Sequence, residues 1–411
     1  MSHLPVEEFS YKDASLDAFG RLPVAPPITI FDSKTEYGKE PLIWDESTPV
    51  GGATSTFLPN ESSVELAVTA ANGDKIIRAT HRSVPYTPGK AHTILLTGHM
   101  AASQVGTRSR YGLFNAEDGF FLERTSAGMF AVYRTSVSGA AADTTIAQSA
   151  WNMDKLDGTG PSGLNIDFGK TFILHIDAQW LGVGRVRMGV VANGRLVFFH
   201  EFLNDNVRTT VYTKTFTLSM RAEIENTAAA PGVTSMKIIC ATAQSGGDFS
   251  TVRVHNHSIS NGTTSRNVTT ALPLLAIRPA ATCAGKANRI QIKARLFGIF
   301  TTDRDVFLEI YWRTSVTGGA GWVAVPGGES CVEYNATGTG ITGGQIINSD
   351  YVPISGGGGS KVGTLTAGAR ENIFLFVGDL ASGPDELALV ATRLGTGTAV
   401  VYGSLAWEEL R

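Results

Sequence analysis

The chain has 411 residues, 43% of them hydrophobic and only 17% charged. That length holds two or three domains with separate cores, and the composition is too apolar and too weakly charged for a disordered chain. Heptad repeats of Ala, Glu, Lys, Leu and Arg are missing, which excludes a coiled coil. A formal net charge of −3 and a pI near 6.3 supply no basic field for nucleic acid.

Residues 1–8 contain neither the basic start nor the apolar stretch of a signal peptide. No run approaches the ~18 apolar residues of a membrane helix, so membrane insertion is not expected. Cys240, Cys283 and Cys331 are odd in number and lack metal-ligand spacing. The expectation is a chain that folds in a reducing cytoplasm without disulfide, metal or cofactor. Asn-X-Ser/Thr triplets at Asn60, Asn261 and Asn335 then read as chance matches.

Residues 1–60 differ from the rest of the chain. Pro5, Pro23, Pro26, Pro27, Pro41, Pro49 and Pro59 interrupt any regular element, and neither strand nor helix periodicity is visible. Phe9, Tyr11, Phe19, Phe31, Tyr37 and Trp44 are nevertheless too apolar for a solvated tail. An extended arm with buried anchors satisfies both facts. The surface it lies on belongs to this chain, to a sister subunit or to another protein.

From residue 62 short alternating runs begin, as in Val64-Glu65-Leu66-Ala67-Val68 and residues 75–82. Further runs at 92–98, 111–114, 119–123, 129–134 and 171–180 are bounded by Gly, Asn, Asp or Pro. Residues 184–191 and 196–201 flank Asn193-Gly194, a strong hairpin signal. Strands this frequent, without helical windows, indicate an antiparallel sandwich or jelly roll.

The polar interval near 245–270 reads as a long loop. A second strand set comes after it, with runs at 290–296, 306–312, 373–377 and 387–391 and an end near Trp407. Gly356 to Gly359 reads as a loop tip. The fold class is therefore all-β: an extended arm (1–60), a β-sandwich or jelly roll (61–280) and a second β-sandwich (281–411). The similar strings 135–139 and 314–318 hint at duplication, although two like hairpin turns explain them equally.

Catalytic signals are poor. His255-Asn256-His257 lies in the polar interval with no helix after it, and His200 and Glu201 point to opposite faces of a strand. Asp303 with Asp305, and Glu223 with Glu225, have the i, i+2 spacing of a glycosidase carboxylate pair, but Asp303 falls at a turn and Glu225 at a strand end. Asp154, Asp157 and Asp167 surround a Gly-rich segment. A calcium loop would use such oxygen ligands, but a rigid connector is the preferred reading. Neither a catalytic nor a metal residue is assigned. Trp180, Trp312 and Trp322 are candidate ligand or interface aromatics.

Several strings resemble a widespread group of tailed-bacteriophage virion proteins. Asp17-Ala18-Phe19-Gly20-Arg21-Leu22 with Phe31-Asp32-Ser33-Lys34 is similar to its opening. Residues 151–163 (from Trp151-Asn152-Met153-Asp154) and 180–187 (from Trp180-Leu181-Gly182-Val183) are similar to its centre. His200-Glu201-Phe202 and Arg221-Ala222-Glu223-Ile224-Glu225-Asn226 continue the match over roughly residues 15–280. The chain departs from the group at Arg21-Leu22-Pro23-Val24, where a second Arg would precede the Val.

The resemblance implies a non-enzymatic virion component of the tail, baseplate, neck or head surface, folded in the bacterial cytoplasm before assembly. Its partners would be other virion proteins and further copies of itself, with threefold symmetry expected. Phe19, Arg21, Phe31 and Trp44 would anchor the assembly arm, and removing residues 1–60 should then leave both sandwiches folded. The alternative is a head-surface decoration protein or an adhesin for a host-surface glycan.

Overall fold

The computed structural model describes residues 16–18, 20, 26–247, 254–354, 359–364, 366–367, 371–372, 374–380 and 383–410, with only the strand path between 359 and 372. The architecture is all-β, with one 3-10 turn at Gln148–Ala150 and no α-helix among the described residues. Contacts divide the chain into two compact units, residues 1–249 and 250–411.

The first unit contains two antiparallel sheets. One has the strand order 195–202, 186–192, 172–178, 92–99, 234–245, 63–68, 54–58, with Ile28–Lys34 also paired to Thr234–Ser245. The other runs 142–147, 128–135, 119–125, 107–114, 220–226, 75–80, 44–46. Strict alternation in His92–His99 sends His92, Ile94, Leu96 and Gly98 inward, the period-2 pattern of a sheet with one buried face.

Asn193 (φ 52°) and Gly194 (φ 75°) turn the hairpin between Val186–Ala192 and Arg195–Phe202. Two successive positive φ values are the geometry that an Asn-Gly hairpin turn requires. The core between the sheets is aromatic as well as aliphatic. Trp151 packs on Phe199 with the rings tilted at 4.2 Å between centroids, and Phe120 stacks on Tyr133 at 5.3 Å.

Residues 28–58 are part of this sandwich, which corrects the arm of residues 1–60. Ile28–Lys34 pairs with Thr234–Ser245, Trp44–Glu46 with Lys75–Thr80, and Thr54–Leu58 with Ser63–Val68. Their strand character was hidden because none alternates over more than a few residues, and prolines separate them. Extended segments of this kind gain their backbone hydrogen bonds from partners distant in sequence.

The second unit has two large sheets and two two-stranded ribbons, Thr282–Cys283 with Lys286–Ala287 and Thr366–Ala367 with Glu371–Asn372. One large sheet orders 254–260, 399–410, 291–301, 359–364, and the other 323–324, 332–335, 272–279, 386–393, 306–317, 340–342. Ala399–Leu410 alternates buried and half-buried residues over its whole length. Its inward row (Ala399, Val401, Leu405 and Trp407) packs against Leu274, Leu275 and Ile299 among others. The run expected at 373–377 contributes only Phe374–Leu375 as strand.

Three further expectations change. The interval 245–270 is not one loop: Val254–Ser260 and Arg266–Val268 both pair with Ala399–Leu410, so these residues belong to the second unit and the division falls near 250 instead of 280. As an edge strand with one sheet neighbour, Val254–Ser260 exposes much of its length, and polar residues fit there. The 135–139 string turns a hairpin whereas 314–317 lies within a strand, so the two strings are not like turns. Cys283 and Cys331 form a disulfide, with Cα atoms 5.3 Å apart and a sequence separation of 48; Cys240 is free. The tip Gly356 to Gly358 lies outside the described residues.

Candidate functional site

The richest constellation of charged side chains covers the outer face of the first unit's second sheet. Alternation along Met220–Asn226 turns Met220, Ala222 and Ile224 to the core and sends Arg221, Glu223 and Glu225 to the other face. The neighbouring strand Thr107–Phe114 places Arg108 and Arg110 opposite, at register pairs Arg110–Glu223 and Arg108–Glu225. Glu123, Arg134 and Asp143 extend the row on the next three strands.

These groups neutralise one another. Glu223 is 2% exposed; it accepts from Arg221 Nη2 at 2.5 Å and Arg110 Nη1 at 3.3 Å, and Lys75 Nζ lies 3.4 Å away. Burial alone would raise its pKa. The surrounding cations of Arg221, Lys75 and Arg110 overcome that and hold it at about 2. Glu225 is likewise lowered against burial, by Lys75 and Arg108. Arg110 Nε donates to Glu123 at 2.7 Å, and Arg134 Nε to Asp143 at 2.7 Å.

Phe114, Phe121 and Val132 form a small apolar cluster on this face. The guanidinium groups of Arg110 and Arg134 lie 5.3 and 5.2 Å from the Phe121 ring, and Arg221 lies 5.2 Å from Phe114. The arrangement therefore roofs an apolar cluster with stacked arginines whose charges are matched by carboxylates. A general acid needs a raised pKa and a nucleophile an open approach. Glu223 has neither.

The remaining carboxylate candidates hold backbone. Asp303 accepts from Val400 N–H and Asp305 from Ile354 N–H, each at 2.7–2.8 Å. Asp154 accepts from the amides of Leu156 and Ser162, Asp157 from Thr159, and Asp167 from Gly169. The 154–169 segment is a rigid connector; a Cβ on Gly160 would come within 2.2 Å of Asp154 Oδ1, so only glycine lets the chain fold over that carboxylate. Among the described residues no group of three or more His, Cys, Asp or Glu is placed to hold a metal ion. His257 lies on the 254–260 strand, stacked 5.9 Å from Trp407.

The anchor residues divide. Phe31 and Trp44 meet edge to face at 6.4 Å inside the first unit's core. Trp44 Nε1 donates to Ser33 Oγ at 2.7 Å, and the Arg78 guanidinium covers its ring at 4.8 Å. They anchor this chain's own sandwich and are unavailable to a neighbour. Phe19 and Arg21 lie outside the described residues.

The residues just before them are held by two arginines that sequence reading did not single out. Arg187 Nη2 donates to Leu16 O and Arg185 Nε to Ala18 O, both at 2.6 Å. Arg187 is also paired with buried Asp177, and Arg185 with Glu201 at 3.1 Å. Arg187 lies on the strand Val186–Ala192 and Arg185 immediately precedes it, and their i, i+2 spacing was the available signal.

None of the three tryptophans is an open platform. Trp180 Nε1 donates to Thr213 Oγ1 at 2.9 Å, and its ring meets Tyr86 edge to face at 5.6 Å. Trp312 Nε1 donates to Phe374 O at 3.2 Å, and the ring packs on the second core. Trp322 lies under Arg278, 4.3 Å from its guanidinium, over Ala276, Ala388 and Val390.

No protein-family description and no curated protein matches the sequence. Solved structures similar to the chain include a legume lectin-like domain from Entamoeba histolytica (9% identity, TM-score 0.32, covering 53% of this chain and 98% of that one). A glycosyl hydrolase family 16 protein from Mycobacterium smegmatis covers 53% of this chain and 100% of its own, at 11% identity and TM-score 0.36. A beta-1,3-glucanase from Mycobacterium marinum covers 53% and 98%, at 12% identity and TM-score 0.35. Likeness at this level carries no argument about activity.

Proposed function

We propose that the chain is a non-catalytic structural component of a tailed-phage virion. The observation that carries the reading is what the resembling strings build. Trp151 is core, Asp154 ties a connector, Glu223 and Arg221 roof a sheet, and Arg185 and Arg187 mount the N-terminal segment. Every one of these is framework or mount, and none is positioned for chemistry. The low charged fraction of the whole chain, 17%, suits burial of surface against neighbours. Mass spectrometry of particles purified from the virus encoding the chain should find it at fixed stoichiometry. Its absence from clean particles would overturn the proposal.

A second reading, host-glycan recognition by the same component, is favoured by one feature of the second unit. Half-exposed Phe300 pairs with Tyr402 at 6.0 Å between centroids. Both neighbour a shallow depression of about 410 Å³, lined in part by Ser258, Ser260, Gly298 and Ser404. Aromatic faces beside hydroxyls are what a sugar ring requires. A glycan array probed with the protein and with Phe300→Ala tests it: a signal lost in the variant supports this reading, and a blank array contradicts it.

A further inference from the structure

We infer that the first fifteen residues of one copy dock on an apolar patch at the end of the first unit of a second copy. The inference deepens the proposed assembly role and rests on it.

The patch is made by two loops. The turn after Phe172–Ala178 presents Leu181 and Val183, and the connection after Arg195–Phe202 presents Leu203, Val207 and Val211, all five exposed. Leu203 and Val207 are 55% and 68% exposed. The loops are fastened together and do not merely lie near each other: Tyr212 N–H donates to Gly182 O, and Asn204 Nδ2 to Gly184 O, both at 2.9 Å. Five aliphatic side chains concentrated on two fastened loops leave an apolar surface of the kind that marks an interaction site.

The chain outside the described region identifies the occupant. Residues 1–15 carry Leu4, Val6, Phe9 and Tyr11 interleaved with Glu7 and Glu8. Exposed Arg208 and Lys214 stand on the same connection as Val207 and Val211 and outnumber its one carboxylate, Asp205, while in residues 1–15 Glu7, Glu8 and Asp13 outnumber Lys12, so the net charges are complementary. The described chain starts at Leu16, held by Arg187, and Ala18 is held by Arg185. Arg185 is the nearer of the two to the 181–184 turn, so the chain approaches its own patch as it proceeds from 16 to 18. Leu16 therefore sits at the end of this short segment away from the 181–184 turn, which favours the patch of a second copy over the chain's own as the docking site of residues 1–15. Fifteen residues span up to ~50 Å when extended, ample for that reach. Repeated head to tail, such a contact closes a ring.

Full-length chains test this by complementation. Val6→Asp/Phe9→Asp damages only the donor and Leu203→Asp/Val207→Asp only the acceptor, both at sites outside the core. The wild type should self-associate in light scattering, and each double variant alone should have the mass of a single chain. Mixed in equal amounts, the variants should recover a species of twice the chain mass, because one intact donor meets one intact acceptor. Self-association surviving in either variant, a mixture that stays monomeric, or a monomeric wild type would each overturn the inference. A wild-type monomer that is still found in purified particles would defeat the inference and leave the virion reading intact.

Discussion

Each unit carries a small apolar cluster outside its main core, and the two clusters are covered in different ways. In the first unit Phe114, Phe121 and Val132 lie beneath arginines, and those arginines are matched by Glu123, Glu223, Glu225 and Asp143. In the second, Ala276, Ala388 and Val390 lie beneath Tyr311, Val316, Trp322 and Ile341, with Arg278 stacked above. The first cover consists of paired charges; the second is chiefly apolar. Their carboxylates differ accordingly. Glu223 is driven down to about 2, whereas burial raises Glu386 because Val316 N–H and Arg278 only partly offset it. A row of carboxylates on a sandwich face can thus be structural, and its pairing, more than its spacing, distinguishes it from a catalytic pair.

The largest expected effect comes from the strands shared by neither cover. Deleting residues 1–60 removes three paired strands together with Phe31 and Trp44, so the first unit should fail to fold while the second retains slow hydrogen exchange. Protection persisting throughout the first unit would contradict the pairing of those three strands.

Next is Glu223→Ala, which leaves Arg221 and Arg110 with fewer partners in a buried site. It should cost about 3–5 kcal/mol in denaturant unfolding. A loss near zero would show that the cover is dispensable.

Acid should separate the units. His92 and His175 are held at about 4, mainly by burial. Because the folded values are depressed, the unfolded chain takes up protons between about pH 6.5 and 4 that the folded chain refuses. Stability falls over that window by about 2 kcal/mol per histidine at pH 5. Glu223 adds a further loss below about pH 4.3, completed as pH passes 2. Glu386 acts oppositely: its folded pKa is raised, so its contribution is present at low pH and lost as pH rises. Hydrogen exchange at pH 7 and pH 5 should show loosening confined to the first unit; equal loosening of both would break the comparison.

The smallest effect is expected from Trp322→Ala. The ring is half-buried and its neighbours Tyr311 and Ile341 remain, so about 1–2 kcal/mol should be lost. A loss as large as that of Glu223→Ala would mean that the two covers are equally brittle.

Much of this fold was legible where one face of a strand is buried. Val64-Glu65-Leu66-Ala67-Val68 alternates in sequence as it does in space, and Asn193-Gly194 turns where it should. Val254–Ser260 was not legible, because an edge strand with polar residues on its exposed side carries no apolar alternation. Phe31 and Trp44 could be recognised as buried, but the surface that buries them is made by strands as distant in sequence as Thr234–Ser245. The Cys283–Cys331 pairing is hidden for the same reason: nothing in a 48-residue spacing brings two strands together. In the candidate site, the i, i+2 carboxylates were visible in sequence. The arginines that neutralise Glu223 include Arg110 from another strand, and sequence spacing does not register it.

The most direct measurement of the central claim is the mass of the full-length protein in solution across a range of concentrations. A building block that donates its N-terminal residues to a neighbour predicts a discrete oligomer, with three copies expected, that dissociates on dilution. A single-chain mass of 43.6 kDa at every concentration would contradict it.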